Sequence, residues 1–181
     1  SAEELVGAEE VLAMKRIPIL YVMDAATMGG AEWSLVDLLQ ALDKDTFEPV
    51  LAAPHDAQIF SHIQKDAVTM VPVPVRPITR TWNPYRVLGY GLGFCRTLGT
   101  LWRYVRRHGI VIVHANTASA QLHCSVLSLF CDVSLVWQCR DLTRFGMLGK
   151  WMAWRADRII AISEAVHRTL IKTVKHSEKI V

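Results

Sequence analysis

The stretch IPILYVMDAATMGGAEWSLVDLLQAL, residues 17–42, decides the fold class. Its first seven residues form a short apolar run of the kind that is buried on both faces of a sheet. A turn carrying the paired glycines Gly29 and Gly30 follows. From Ala31 onward Trp33, Val36, Leu39 and Leu42 recur at helical spacing, which predicts a helix over 31–42 with Glu32, Asp37 and Gln40 on its solvent side. Strand, glycine turn and helix in that order are the opening unit of a parallel α/β sheet.

The same alternation continues along the chain. Strands are predicted at 47–53, 68–73, 110–113, 133–138 and 157–162. Between them fall a short helix at 57–65, with Ile59, Phe60 and Ile63 inward, and a long glycine-interrupted helix at 85–108. Further helices are predicted at 118–130, 146–155 and 164–174. The long helix ends in Arg106-Arg107-His108-Gly109, cations and then a glycine, as a helix C-terminus favours. Residues 76–84 read as a loop, with Pro77 and Pro84 breaking regular structure around an exposed Trp82. The expected fold is therefore α/β: a Rossmann-like, doubly wound, mainly parallel sheet with helices on both faces.

With 181 residues the chain has the size of one domain, large enough to bury a sizeable core. Residues 14–181 are assigned to that domain, and 1–13 to a leader or a segment added to the native chain. Glu3, Glu4, Glu9 and Glu10 stand where a secretory signal would be basic, so a cytoplasmic location is expected. No stretch approaches the roughly 20 apolar residues of a membrane-spanning helix. The four cysteines, Cys95, Cys124, Cys131 and Cys139, lack disulfide or zinc spacing and read as reduced core or near-core residues. The last residues, Glu178-Lys179-Ile180-Val181, read as the start of a further strand, as expected of a piece of a longer protein.

Net charge is +3, yet it is unevenly spread. Residues 67–131 contain no Asp or Glu, while Arg76, Arg80, Arg86, Arg96, Arg103, Arg106 and Arg107 all fall there. Such a block favours anionic partners: a phosphate-bearing substrate, nucleic acid or an anionic membrane surface. Nucleic acid is disfavoured, because no recognition motif accompanies the charge. Tryptophans among the cations, in 76–107 and in the segment with Lys150, Trp151, Trp154, Arg155 and Arg158, suit the lipid headgroup zone. The competing reading turns those tryptophans toward the core.

In a parallel α/β sheet, ligands bind outside the carboxyl ends of the strands. At the first such end, Gly29 and Gly30 let the backbone approach a ligand, and the following helix aims free N–H groups there, which suits a phosphate. The alternative is a tight turn without a ligand. No third glycine completes a dinucleotide fingerprint, and no acid closes the second strand. The fourth strand opens into His114, Asn116 and Thr117. His114 could serve as a base or hydroxyl ligand, or simply as a hydrogen-bonded structural residue. Asn116 and Thr117 double as a helix cap. Arg140 and Asp141 emerge from the apolar fifth strand as a charged pair, functional or structural. Ser163 and Glu164 close the sixth strand, with Ser163 a natural N-cap. No catalytic triad with a nucleophile elbow, no Walker loop and no H-E-x-x-H motif is present.

Taken in order, ILYVMDAATMGGAEWSLVDLL, IVIVHANTASA, LVWQCRDL and ADRIIAISEAVHRTL resemble the N-terminal domain of a GT-B glycosyltransferase of retaining family 4. The likeness spans about Ile17 to Val181 and stops where the family's linker into a second domain should begin. It implies that the second domain grips a nucleotide-sugar donor as co-substrate, with no other cofactor and no metal ion. This domain would bind a glycan or lipid-linked acceptor through His114, Asn116, Thr117, Arg140, Ser163 and Glu164. Gly29 and Gly30 would face the donor diphosphate. Arg140 and Asp141 would match a His/Arg-acid motif at the cleft and are the catalytic candidates. Gln138 stands where many relatives carry His, which departs from the pattern. The implied activity is sugar transfer with retention in cell-envelope or surface glycan synthesis, at the inner face of the membrane, by the longer protein only. A stand-alone binding module for an anionic ligand or partner protein is the competing function.

Overall fold

The computed structural model describes residues 16–64, 66–75, 84–140, 146–172, 174 and 177–181. The expected leader, the loop with Arg76, Arg80 and Trp82, and Asp141 lie outside the described residues. Six strands form one sheet: β1 (Ile17–Val22), β2 (Phe47–Ala53), β3 (Thr69–Pro72), β4 (Ile112–Ala115), β5 (Ser134–Cys139) and β6 (Arg158–Ala161). Their spatial order is β3-β2-β1-β4-β5-β6, and every described pairing is parallel. Five helices accompany them: α1 (Gly30–Ala41), α2 (Pro84–His108), α3 (Ala118–Leu127), α4 (Gly146–Arg155) and α5 (Glu164–Ile171).

The strand order explains where the helices go. From β1 the chain winds outward through α1 to β2 and β3, then crosses back through α2 and winds the other way. Right-handed crossovers put α1 on one face and α2, α3 and α4 on the other. The two apolar clusters follow this division. Ile19 and Tyr21 of β1, and Met23 just beyond it, pack with Leu35, Val36 and Leu39 of α1. Leu20 and Val22 point the opposite way, with Val113 and Trp137, onto Leu101, Ala120 and Met152. The segment expected to begin another strand is a 3-10 turn over Ser177–Lys179 followed by a single parallel bridge, Ile180 to Ile159 of β6.

Four expectations need correction. The predicted helix at 57–65 is only a 3-10 turn, Gln58–Ser61, although Ile59 and Ile63 are buried as anticipated. On α1 the inward face is Glu32, Leu35, Val36 and Leu39, while Trp33 is 48% exposed and lies against His62 with ring centroids 4.7 Å apart. Val36 and Leu39 face inward as predicted, but Glu32 and Leu35 complete the buried stripe in place of Trp33 and Leu42, so it carries a carboxylate inward. The fourth strand lies two residues later than predicted, so His114 is inside the strand and not beyond it. Of the cysteines, Cys124 and Cys139 are buried, but Cys95 is exposed on α2.

Candidate functional site

Strand order reverses between β1 and β4, the topological position at whose carboxyl edge such sheets form a crevice and bind ligands. The turn from β1 is fixed from outside itself. Gln58 N–H donates to Ala26 O at 2.8 Å, and Met28 N–H donates to Gln58 Oε1 at 3.1 Å. Gly29 is the N-cap of α1, with an extended backbone (φ −147°) that any residue could adopt. Its lack of a side chain has another cause: a Cβ there would stand 2.9 Å from Glu32 Oε2. Gly30 has open space around it.

The far wall comes from β4 and β5. Asn116 is fully buried; its Nδ2 donates to Ala31 O at 3.3 Å, and its Oδ1 accepts from Arg140 Nη2 at 3.1 Å. The same Nη2 donates to Ser34 Oγ at 3.3 Å. Thr117 accepts from Ala120 N–H at 3.1 Å, capping α3, and donates to Asp24 Oδ1 at 2.7 Å. One knot of polar groups thus ties the start of α1 to the ends of β1, β4 and β5. Burial pushes the Arg140 guanidinium down from its ordinary value, and the nearby Glu32 carboxylate opposes that shift. Among the described residues, Asp24 and Glu32 set two carboxylates beside the one guanidinium of Arg140.

His114 sits deeper than the sequence suggested, 7% exposed, with its ring centroid 5.1 Å from that of Tyr21. Burial lowers its pKa to about 4. Gln138 favours the protonated ring and Arg140 disfavours it, yet neither His114 Nε2 nor Gln138 Oε1 completes a hydrogen bond, so burial prevails. The imidazole is therefore neutral near pH 7. Ser163 caps α5, accepting from Val166 N–H at 3.3 Å, and Glu164 pairs with Arg168 at 3.1 Å on an exposed surface. Among the described hydrogen bonds none joins this pair to the Arg140 knot. Among the described residues, no group of three or more His, Cys, Asp or Glu side chains could hold a metal ion.

Asp24, Glu32, Ser34 and Gln58 belong to the crevice, and the sequence reading gave them no role there. Asp24 was traceable, being the first charge after an apolar strand. Gln58 was not, because its contact spans 30 residues and leaves no local pattern.

A doubly wound parallel sheet, with a glycine turn and buried polar groups at its order reversal, defines a Rossmann-like ligand-binding domain. The model of Glycosyltransferase Family 4 matches residues 28–181, and the chain belongs to that family. No match was found among curated proteins. Among solved structures it is similar to Anabaena HepE in complex with UDP, at 19% identity and a TM-score of 0.68, over 91% of this chain and 43% of that one. A glycosyltransferase from Rickettsia africae is similar at 14% identity and a TM-score of 0.65, over 92% and 42% of the two chains. The lipopolysaccharide outer core galactosyltransferase WaaB follows at 11% identity and a TM-score of 0.61, over 91% and 44%. These neighbours share the GT-B fold, and this chain spans less than half the length of each.

Proposed function

We propose that this chain is the acceptor-side half of a glycosyltransferase that moves a sugar, with retention, from a nucleotide-sugar donor to a glycan or lipid-linked acceptor of the cell envelope. The reaction takes place on the cytoplasmic side of the membrane. The observation that carries the proposal is the crevice at the β1–β4 reversal, within a chain that belongs to Glycosyltransferase Family 4. Backbone N–H groups at Gly29 and Gly30 face the donor diphosphate, and the end of α1 contributes its positive pole. His114, Asn116, Thr117, Ser163 and Glu164 contribute to the acceptor side. Arg140, with its Nη2 engaged by Asn116 and Ser34, acts chiefly by positioning that wall, and Asp141 stays a catalytic candidate beside it.

The charge balance supports a half-site. A leaving diphosphate needs positive groups at its oxygens. Among the described residues Asp24 and Glu32 outnumber Arg140, which supports neutralising cations supplied by a second domain, without a metal ion. Residues 1–181 alone are accordingly inactive, and the longer protein turns over a nucleotide-sugar. A screen of nucleotide-sugar hydrolysis and transfer, beginning with UDP-sugars because HepE is bound to UDP, tests both statements. Robust transfer by residues 1–181 alone would overturn the half-site.

A second reading, a binding module for an anionic ligand or a partner protein without catalysis, is favoured by one observation: Arg140 and Thr117 are already engaged within the chain. Tight binding of UDP without turnover by the longer protein would select it.

A further inference from the structure

On the β2 side of the glycine turn lies a surface of another kind. Trp33, in the first turn of α1, is the only large apolar side chain that is exposed among the described residues from 18 to 64. Its ring meets that of His62 at a tilt of 58°, so the imidazole holds one side of the indole and the rest stays in water. Four residues before His62, Gln58 is exposed as well. Its Oε1 is held by Met28 N–H, which fixes the amide, and its Nε2 has no partner among the described residues. These groups form one unit with the turn, because Trp33 N–H donates to Gly29 O at 3.1 Å and Gln58 N–H to Ala26 O.

The charge here is the reverse of that in the arginine block. Residues 17–43 and 45–64 contain no Lys or Arg, while Asp37, one turn beyond Trp33 on α1, and Asp56 are exposed. A flank without cations does not attract a phosphate or an anionic bilayer. One indole among polar side chains is too small an apolar area for a protein interface, which covers about 800 Å² on each partner. An uncharged pyranose ring fits every feature. Its C–H groups pack on the electron-rich face of an aromatic ring. Its hydroxyls accept from an amide N–H and donate to carboxylates.

We propose that Trp33, His62 and Gln58 form a subsite for one uncharged pyranose ring of the acceptor glycan, a ring other than the one that receives the transferred sugar. The indole takes the C–H face of the ring, His62 holds the indole at its angle, and Gln58 Nε2 donates to a ring hydroxyl. This deepens the glycan-acceptor reading and rests on it for its purpose. Trp33 adjoins Glu32, whose carboxylate lies near Arg140, so a ring held there keeps the glycan beside the crevice.

NMR of the 181-residue chain tests the proposal, with methyl pyranosides of glucose, galactose, mannose and N-acetylglucosamine as probes and inorganic phosphate as control. The Trp33 indole N–H signal is the one that Trp33→Phe removes. At least one pyranoside moves it in the millimolar range, and phosphate does not. Read on the sugar by saturation transfer, binding survives Trp33→Phe and falls at least about tenfold in Trp33→Ala. Gln58→Glu keeps an acceptor for Met28 N–H, removes the donor to the sugar and weakens binding about fivefold. Circular dichroism of the three variants matches the parent. No shift with any pyranoside at tens of millimolar overturns the subsite, as does binding that Trp33→Ala leaves intact. Protection of the Trp33 indole from acrylamide in the unliganded longer protein also overturns it, because a second domain then covers the platform. Pyranoside binding by this chain with no sugar transfer by the longer protein removes the transferase reading and leaves the subsite. Transfer with an acceptor KM unmoved by Trp33→Ala removes the subsite and leaves the transferase.

Discussion

Two regions at the carboxyl edge of the sheet break the rule of apolar inside and polar outside, in opposite directions. In the crevice Asp24, Glu32 and Asn116 are buried, and Arg140 is partly buried beside them; on the amino half of α2, Leu88 and Leu92 are exposed. Asp24 is answered within the chain by Thr117, and Arg140 Nη2 by Asn116 and Ser34, while Arg140 Nε, His114 Nε2 and Gln138 Oε1 make no hydrogen bond. The exposed leucines have no such answer among the described residues. Internal pairing of Asp24 and of Arg140 Nη2 ties the first region into the fold, whereas the second is apolar surface left in water. Substitutions in the first should therefore be costly to stability, and those in the second should not.

The largest effect comes from pH. His114 has its folded pKa lowered to about 4 from 6.5, so the unfolded chain binds more protons between those values. Stability is full above that window and declines as pH falls through it, by up to about 3 kcal/mol. Urea unfolding at a series of pH values checks this, and His114→Gln should flatten the slope. Burial of His123 acts in the same direction and leaves a residual slope.

Arg140→Leu comes next. It strips Asn116 Oδ1 and Ser34 Oγ of their donor and leaves Glu32 without its neighbouring cation, costing about 2 kcal/mol in the same assay. Thr117→Val removes both the cap on α3 and the donor to Asp24, for about 1 to 2 kcal/mol, whereas Thr117→Ser keeps both and stays near the parent. The two glycines separate further. Gly29→Ala pushes the Glu32 carboxylate aside and costs about 1 kcal/mol, while Gly30→Ala meets nothing and gains a few tenths, roughly. Smallest of all, Leu88→Glu with Leu92→Glu should leave thermal stability within about 0.5 kcal/mol. A loss of several times that would break the contrast, by showing that the leucines are already covered.

The fold was legible because buried parallel strands announce themselves as apolar runs and glycines and caps mark the turns between them. The crevice was legible in part. Gly29, Gly30, Asn116, Thr117 and Arg140 were found because they stand where strands end. Their partners were harder to see. Glu32 was assigned to the solvent side because a carboxylate in an amphipathic pattern reads as surface, and only a partner distant in sequence, Arg140, makes its burial affordable. His114 was set outside its strand for a related reason: a polar residue reads as an ending, yet it pairs between Tyr21 and Val136 in the sheet, its ring tilted against that of Tyr21. Hydropathy carries the first-order pattern, and long-range polar pairing rewrites it at the site.

The two bonds from Gln58 to the glycine turn have a kinetic meaning. They join residues about thirty positions apart, across β2 and the whole of α1, so the turn has no way to adopt its shape from local sequence. In a sheet built only of parallel crossovers such non-local closures come at the cost of loop entropy and form slowly. The glycine turn should therefore be among the late structures of folding, appearing with the assembled sheet and not before it.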